Sequence, residues 1–275
     1  MMNAKEAAKR FEDQRKRCRT LHLLYLLGLV ITLGAMFLWG TKVSFIIFIP
    51  VLVFYFAVVR GSVKKYASDW REFCVRLFTE KHFGHVEYTY KADAEALPLY
   101  KSHPLAVKSS KGTLLARNLA TGSNAGIDAT FLDSTLPIGE GKAIRFLVGC
   151  WMGMSFDTIV NEPVRIVKGD PIPAAEALKP CEKPEGMPGE CAFFTPDGTL
   201  ELPEDCIAPL KALLEDIAHD GVVELRPEGL FVFLPQKLIN VQPPSMKTTV
   251  VPQLIERIVF PEIDDAYMLA LRLRK

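Results

Sequence analysis

The ten residues FLWGTKVSFI (37–46) join two apolar runs, with only Gly40, Thr41 and Lys42 between them. The first run, 21–39, is long enough to cross a ~30 Å hydrocarbon core at ~1.5 Å per residue. The second, 43–59, is slightly shorter and uncharged. Lys42 is the only formal charge from Leu21 to Val59. Pro50 falls in mid-span, where a kink is tolerated if a neighbouring helix re-satisfies the freed carbonyl. A cleaved signal peptide would have a shorter apolar region and a small-residue cleavage site, and none follows. A buried soluble hairpin is the other alternative, but adjacent uncharged runs of this length are rare in soluble cores. The reading is a transmembrane hairpin with Leu21, Trp39, Val43 and Val59 at the span ends.

Charge sets its orientation. Residues 1–20 carry a net +4, residues 21–60 add +2, and the remainder of the 275-residue chain is −5. Arg60, Lys64 and Lys65 follow the second span, whereas the turn holds one lysine. Lys/Arg-rich flanks stay cytoplasmic, so both termini are expected in the cytoplasm. The mildly acidic remainder does not suggest a nucleic-acid binder, which needs basic surface to displace counterions. Six cysteines (18, 74, 150, 181, 191, 206) form no CxxC pair. A cytoplasmic location implies reduced thiols; an exported domain could bridge Cys181 to Cys191.

On the first span Gly28, Thr32 and Ala35 share a face. Small residues at this spacing let helices approach closely, and plain lipid exposure is the alternative. After the second span, SVKKYASDWREFCVRLFTEKHF (62–83) reads as an amphipathic helix. Its stripe of Val63, Tyr66, Trp70, Phe73 and Leu77 is a candidate docking or interaction face. Ser62 is expected to cap this helix and Gly84 to end it.

Strand patterns follow in HVEYTYK (85–91), GIDATFLD (126–133), KAIRFLVGCWMGMSFD (142–157) and EPVRIVKGD (162–170), with Gly122, Asn124, Gly126, Gly139 and Gly141 marking turns. A proline-rich stretch at 170–190 reads as a linker or loop. Beyond it, residues 202–221 give a helix with Ile207, Leu210, Leu213, Leu214 and Ile217 on one face. VVELRPEGLFVFLP (222–235) reads as a β-hairpin, and two short helices end the chain. The expected organisation is thus a basic arm (1–20), transmembrane hairpin (21–60), amphipathic juxtamembrane helix (61–84), β-rich subdomain (85–169), linker (170–190) and α+β C-terminal subdomain (191–275). The fold class is α+β, membrane-anchored.

This arrangement resembles a bacterial family of two-span membrane proteins of unassigned function. The residues that carry the resemblance are Lys64–Phe83, Ala208–Ala218, Leu230–Pro235 and Pro261–Ala266. The 170–190 stretch fits the family least well. The resemblance implies a β-rich cytoplasmic domain in the bacterial inner membrane and brings no catalytic residues.

Chemistry is sparse. GEGK (139–142) lacks the glycine and Ser/Thr that a phosphate loop requires, with Leu136 and Ala143 in those places. GSNAG (122–126) reads as a turn. His82 and His85, near Cys74 and Glu87, lack the further ligands of a zinc site. Cys150 has no local basic neighbour to make it a thiolate. Ser62-x-x-Lys65 matches a Ser/Lys dyad but reads as a cap. Glu215-Asp216 and Asp264-Asp265 are adjacent, so within each pair the side chains point apart on solvated helix faces. No catalytic residue, metal or cofactor is assigned. The expected function is a membrane-tethered interaction or regulatory module whose partners are the lipid bilayer and a protein, with self-association left open. The alternatives are an effector that senses a ligand and oligomerises through its spans, and a membrane-bound hydrolase with a non-local site.

Overall fold

A computed structural model describes residues 3–91, 115–138, 145–169, 178–239 and 241–275. The expected turns at Gly139 and Gly141, and the GEGK segment, lie outside them. The chain forms two compact units, one of Met1–Cys74 with Val241–Val259, the other of Val75–Asn240 with Phe260–Lys275.

The first unit is built on helices. Helix α1 runs unbroken over Ala4–Trp39, its start capped by Asn3, whose side chain accepts from the Glu6 amide at 2.9 Å. The basic arm is therefore the first turns of the same helix that carries the first apolar run. Gly40, at φ +81°, reverses the chain. Helix α2 covers Thr41–Phe54, a single π turn covers Tyr55–Val59, and helix α3 covers Arg60–Phe83. The second apolar run thus passes into the amphipathic helix without a break, and Ser62 lies inside it instead of capping it. Gly84, at φ +64°, ends α3 as expected. Ala4–Trp39 and Thr41–Phe83 are two helices long and apolar enough to cross a membrane, with only 11% of each apolar window buried.

The second unit is an antiparallel sheet with helices. Its strands are β1 (Val86–Lys91), β2 (Leu115–Asn124), β3 (Ile127–Ile138), β4 (Arg145–Ser155), β5 (Val164–Lys168), β6 (Lys179–Cys181), β7 (Cys191–Thr195), β8 (Val222–Arg226) and β9 (Gly229–Pro235). Nine strands lie in the order β1-β2-β3-β4-β9-β8-β5-β7-β6. Because β4 pairs with β9, strands on either side of 170–190 share one sheet. That stretch does not divide the sheet where a subdomain boundary was expected.

Local chemistry explains the hairpins. Ala125 and Gly126 both take positive φ (51° and 72°), the two-residue turn whose twist suits flanking antiparallel strands. Gly122, expected in a turn, instead lies within β2, where a side chain would crowd Phe83 and Val86. Pro227 and Glu228 form the β8–β9 turn as expected.

Register places Phe193, Ile166, Val223, Val232, Met152, Phe131 and Ala120 directly opposite one another across seven strands. All are at most 1% exposed, so one face of the sheet is a continuous apolar layer. Helices α4 (Glu204–Asp216) and α6 (Pro261–Leu273) pack on one another, and α6 also packs on β9. Their buried residues include Cys206, Leu210, Leu213 and Leu214 from α4, and Ile263, Ala266, Leu269, Ala270 and Leu273 from α6. Ile207 is only half-buried, and Cys206 takes its place on the inner face. The short helix α5 (Pro252–Glu256) belongs to the first unit.

Candidate interaction site at the base of the hairpin

The stripe on α3 docks on the arm of α1. Tyr66 and Trp70 are 2% and 1% exposed, Phe73 and Leu77 are half-buried, and Val63 is exposed. The partner is Phe11, fully buried, whose ring meets Trp70 edge-on at 4.9 Å and Phe73 at 5.1 Å. Edge-to-face aromatic contacts of this kind add to the burial of large rings.

A second layer comes from the far end of the chain. Arg15, 4% exposed, holds Glu12 through two bonds, Nε to Oε2 at 2.8 Å and Nη2 to Oε1 at 2.6 Å. Its remaining Nη1 donates to the Met246 carbonyl at 2.5 Å. Glu12 Oε2 also accepts from the Val250 amide at 2.9 Å, and Tyr66 Oη donates to the Pro244 carbonyl at 3.4 Å. The segment 241–250 is thus fastened to the helical arm by one ion pair used at both ends. Arg15 lowers the Glu12 carboxyl to about 2, chiefly through the hydrogen bond between them. Burial pushes the Tyr66 phenol up to about 12.

Phe11, Glu12, Arg15 and the 241–250 segment were not anticipated from sequence. The signal was present in Ala7, Ala8, Phe11, Arg15 and Cys18, which recur at three- and four-residue spacing and are all buried. The arm's basic charge masks that periodicity.

Within the spans, Gly28 faces α2: a Cβ there would lie 2.9 Å from Val51 Cγ2. Thr32 and Ala35 are 6% and 2% exposed. The Thr32 hydroxyl donates to the Gly28 carbonyl at 2.8 Å, and Ser44 Oγ donates to the Thr32 carbonyl at 3.1 Å. The small-residue face is thus directed at the second helix of the same hairpin. The larger span residues point outward, with Phe37 87%, Leu38 72% and Ile46 71% exposed.

The remaining sequence candidates fall elsewhere. His82 Nε2 lies 2.5 Å from Asp264 Oδ1, its ring stacks on Tyr267 at 4.6 Å, and its carbonyl accepts from the Asn124 side-chain Nδ2. Asp264 also takes an ion pair from Lys81 at 2.6 Å. The Asp265 carboxyl is raised to about 6, first by burial and then by the neighbouring charge of Asp216. Glu215 and Asp216 lie on an exposed face as expected, whereas Asp264 and Asp265 are half-buried and meet groups on other elements. Among the described residues no group of three or more His, Cys, Asp or Glu could hold a metal ion. All six cysteines are free, and burial pushes the Cys150 thiol far up, away from thiolate reactivity. Arg165 and Glu224 form a buried pair on β5 and β8 at 2.5 Å, and burial raises the Glu224 carboxyl despite the arginine.

These features define an α+β chain that joins an antiparallel sheet to two long apolar helices. No protein-family model matches the chain, and no curated protein matches it. A solved structure with a distant likeness is the crystal structure of the mycobacterial trehalose monomycolate transport factor A, TtfA. The identity is 11%, the match covers 76% of this chain and 96% of that one, and the TM-score is 0.39, too distant to assign fold or activity.

Proposed function

We propose that this chain is a membrane-tethered cytoplasmic interaction or regulatory module, held in a bacterial inner membrane by the hairpin with both termini in the cytoplasm. The observation that carries the reading is the arrangement of the two long helices. Their small and polar residues Gly28, Thr32, Ala35 and Ser44 turn inward, and Phe37, Leu38 and Ile46 turn outward. That pattern costs a great deal in water and nothing in hydrocarbon. Lys/Arg at both cytoplasmic flanks supports the orientation.

The effector reading draws less support. A pore would need polar lining, and the span hydroxyls of Thr32 and Ser44 already bond within the hairpin. The tethering reading is tested by alkaline extraction of membranes and by reporters fused after Lys275. The chain should stay in the membrane pellet. A fluorescent reporter should light up, and a periplasmic phosphatase reporter should stay silent. An active phosphatase at that position sinks the orientation, and release by alkali sinks the tether.

A further inference from the structure

A cavity of about 310 Å³ opens at the base of the hairpin, between the arm of α1 and the start of α3. Its position is set by the apolar runs. Arg17 lies four residues before Leu21, and Lys65 lies six after Val59, so both charges sit just outside the uncharged spans. Ala57 and Val58 of the π turn form an apolar wall, while Gln14, Ser62 and Lys65 supply polar atoms. π turns within helices recur at functional sites, because the wider turn opens space beside the backbone.

The polar lining is specific. Gln14 Nε2 donates to Asp69 Oδ2 at 2.8 Å, which fixes the orientation of the amide. Its Oε1 is then a buried acceptor, and among the described residues it has no hydrogen-bond partner. Arg17 is exposed, and the Lys65 ammonium, with 75% of its side chain exposed, lies 3.4 Å from Asp69. The cavity therefore offers two cations, a hydroxyl and an apolar wall on the membrane side.

We propose that this cavity binds the headgroup of an anionic glycerophospholipid, with phosphatidylglycerol as the probe. The phosphodiester would lie between Arg17 and Lys65, with Ser62 donating to it. The glycerol backbone and upper acyl chains would run along Ala57 and Val58. The size suits a headgroup, since small-ligand pockets begin at about 300 Å³. Juxtamembrane cations attract anionic headgroups at this depth. The proposal rests on the hairpin spanning a membrane.

The test uses the full chain in neutral detergent, with lipid retention read by native mass spectrometry. Phosphatidylglycerol should be retained about tenfold better than phosphatidylcholine. The Arg17→Ala, Lys65→Ala double variant should lose about tenfold. Gly61→Leu should do the same without touching a charge, because Gly61 lines the cavity and a Cβ there meets nothing within 4 Å. Inorganic phosphate at millimolar concentration should not displace the lipid. Equal retention of phosphatidylglycerol and phosphatidylcholine, or an unchanged Gly61→Leu protein of native helix content, overturns the assignment. Displacement by inorganic phosphate overturns it in favour of a free-anion site. Failure of the membrane reading shows separately, as a chain that alkali extracts.

Discussion

Gly28 of α1 and Val51 of α2 meet so closely that a Cβ on residue 28 would sit 2.9 Å from one valine methyl and 3.1 Å from the other. Both atoms belong to a β-branched side chain with little freedom to turn away. The contact fixes the spacing of the two apolar helices, and it lies inside the hairpin. Gly28→Leu should therefore lower the thermal midpoint of the detergent-solubilised protein, at a cost of about 1–3 kcal/mol for overpacking. Membrane insertion should persist, because hydrophobicity rises. An unchanged midpoint would mean that the two helices separate in detergent and that the small-residue face is free for another chain.

A second outcome concerns the fastening of 241–250. Glu12→Gln removes the charge that Arg15 faces in a largely buried site and weakens the acceptor for the Val250 amide. The cost should be about 3 kcal/mol. It should appear as faster hydrogen exchange at Val250, with the rest of the chain less affected. The pH dependence has a definite sign. Folding lowers the Glu12 carboxyl from about 4.5 to about 2, so its stabilisation is complete above the ordinary value and is lost as pH falls from there through 2. The Gln variant should lack that acid-side slope. A variant with the same slope and the same Val250 protection would remove Glu12 from the fastening.

Asp265 should behave in the opposite way. Its carboxyl is raised from 3.8 to about 6 by burial and by Asp216, so the fold favours the protonated form. That contribution is fully present below the ordinary carboxylate value and is lost as pH rises through 6. Asp265→Asn should stabilise the protein at pH 7.5 by up to about 1 kcal/mol, after discounting for partial solvent exposure. The gain should vanish near pH 4. Denaturant midpoints at the two pH values check it, and an equal gain at both would mean that Asp216 is not the cause.

Much of the architecture is legible in the residues, because apolar periodicity answers directly to burial. The two long runs, the α3 stripe, the 222–235 hairpin and the amphipathic α4 each carry a period that one element satisfies by itself. Pairings between distant segments are not written locally. Nothing in VGCWMG announces that Cys150 stands opposite Leu234, so the sheet's continuity across 170–190 is invisible until the strands are paired. The partner of the α3 stripe is hidden for another reason. Phe11 sits among Arg10, Arg15, Lys16 and Arg17, and positive charge beside a membrane span already has an electrostatic explanation. One strong reading of the arm concealed a second. The acidic pairs show the same limit, since Asp265 meets Asp216 only after α4 and α6 are brought together.

The π turn at Tyr55–Val59 sets the phase of everything after it. An α-helix advances about 100° per residue, so across the 19 residues from Val51 to Trp70 an uninterrupted helix would point the two side chains about 100° apart. A π turn takes up roughly one extra residue, and that is about the same angle. Val51, which meets Gly28, and Trp70, which meets Phe11, are thereby brought onto one side of the second long helix. Residues 55–59 therefore act as a rotational offset between a seam suited to lipid and a seam suited to water. Their side chains matter less for this than their number. Removing one residue there would leave both seams chemically intact and turn them out of alignment.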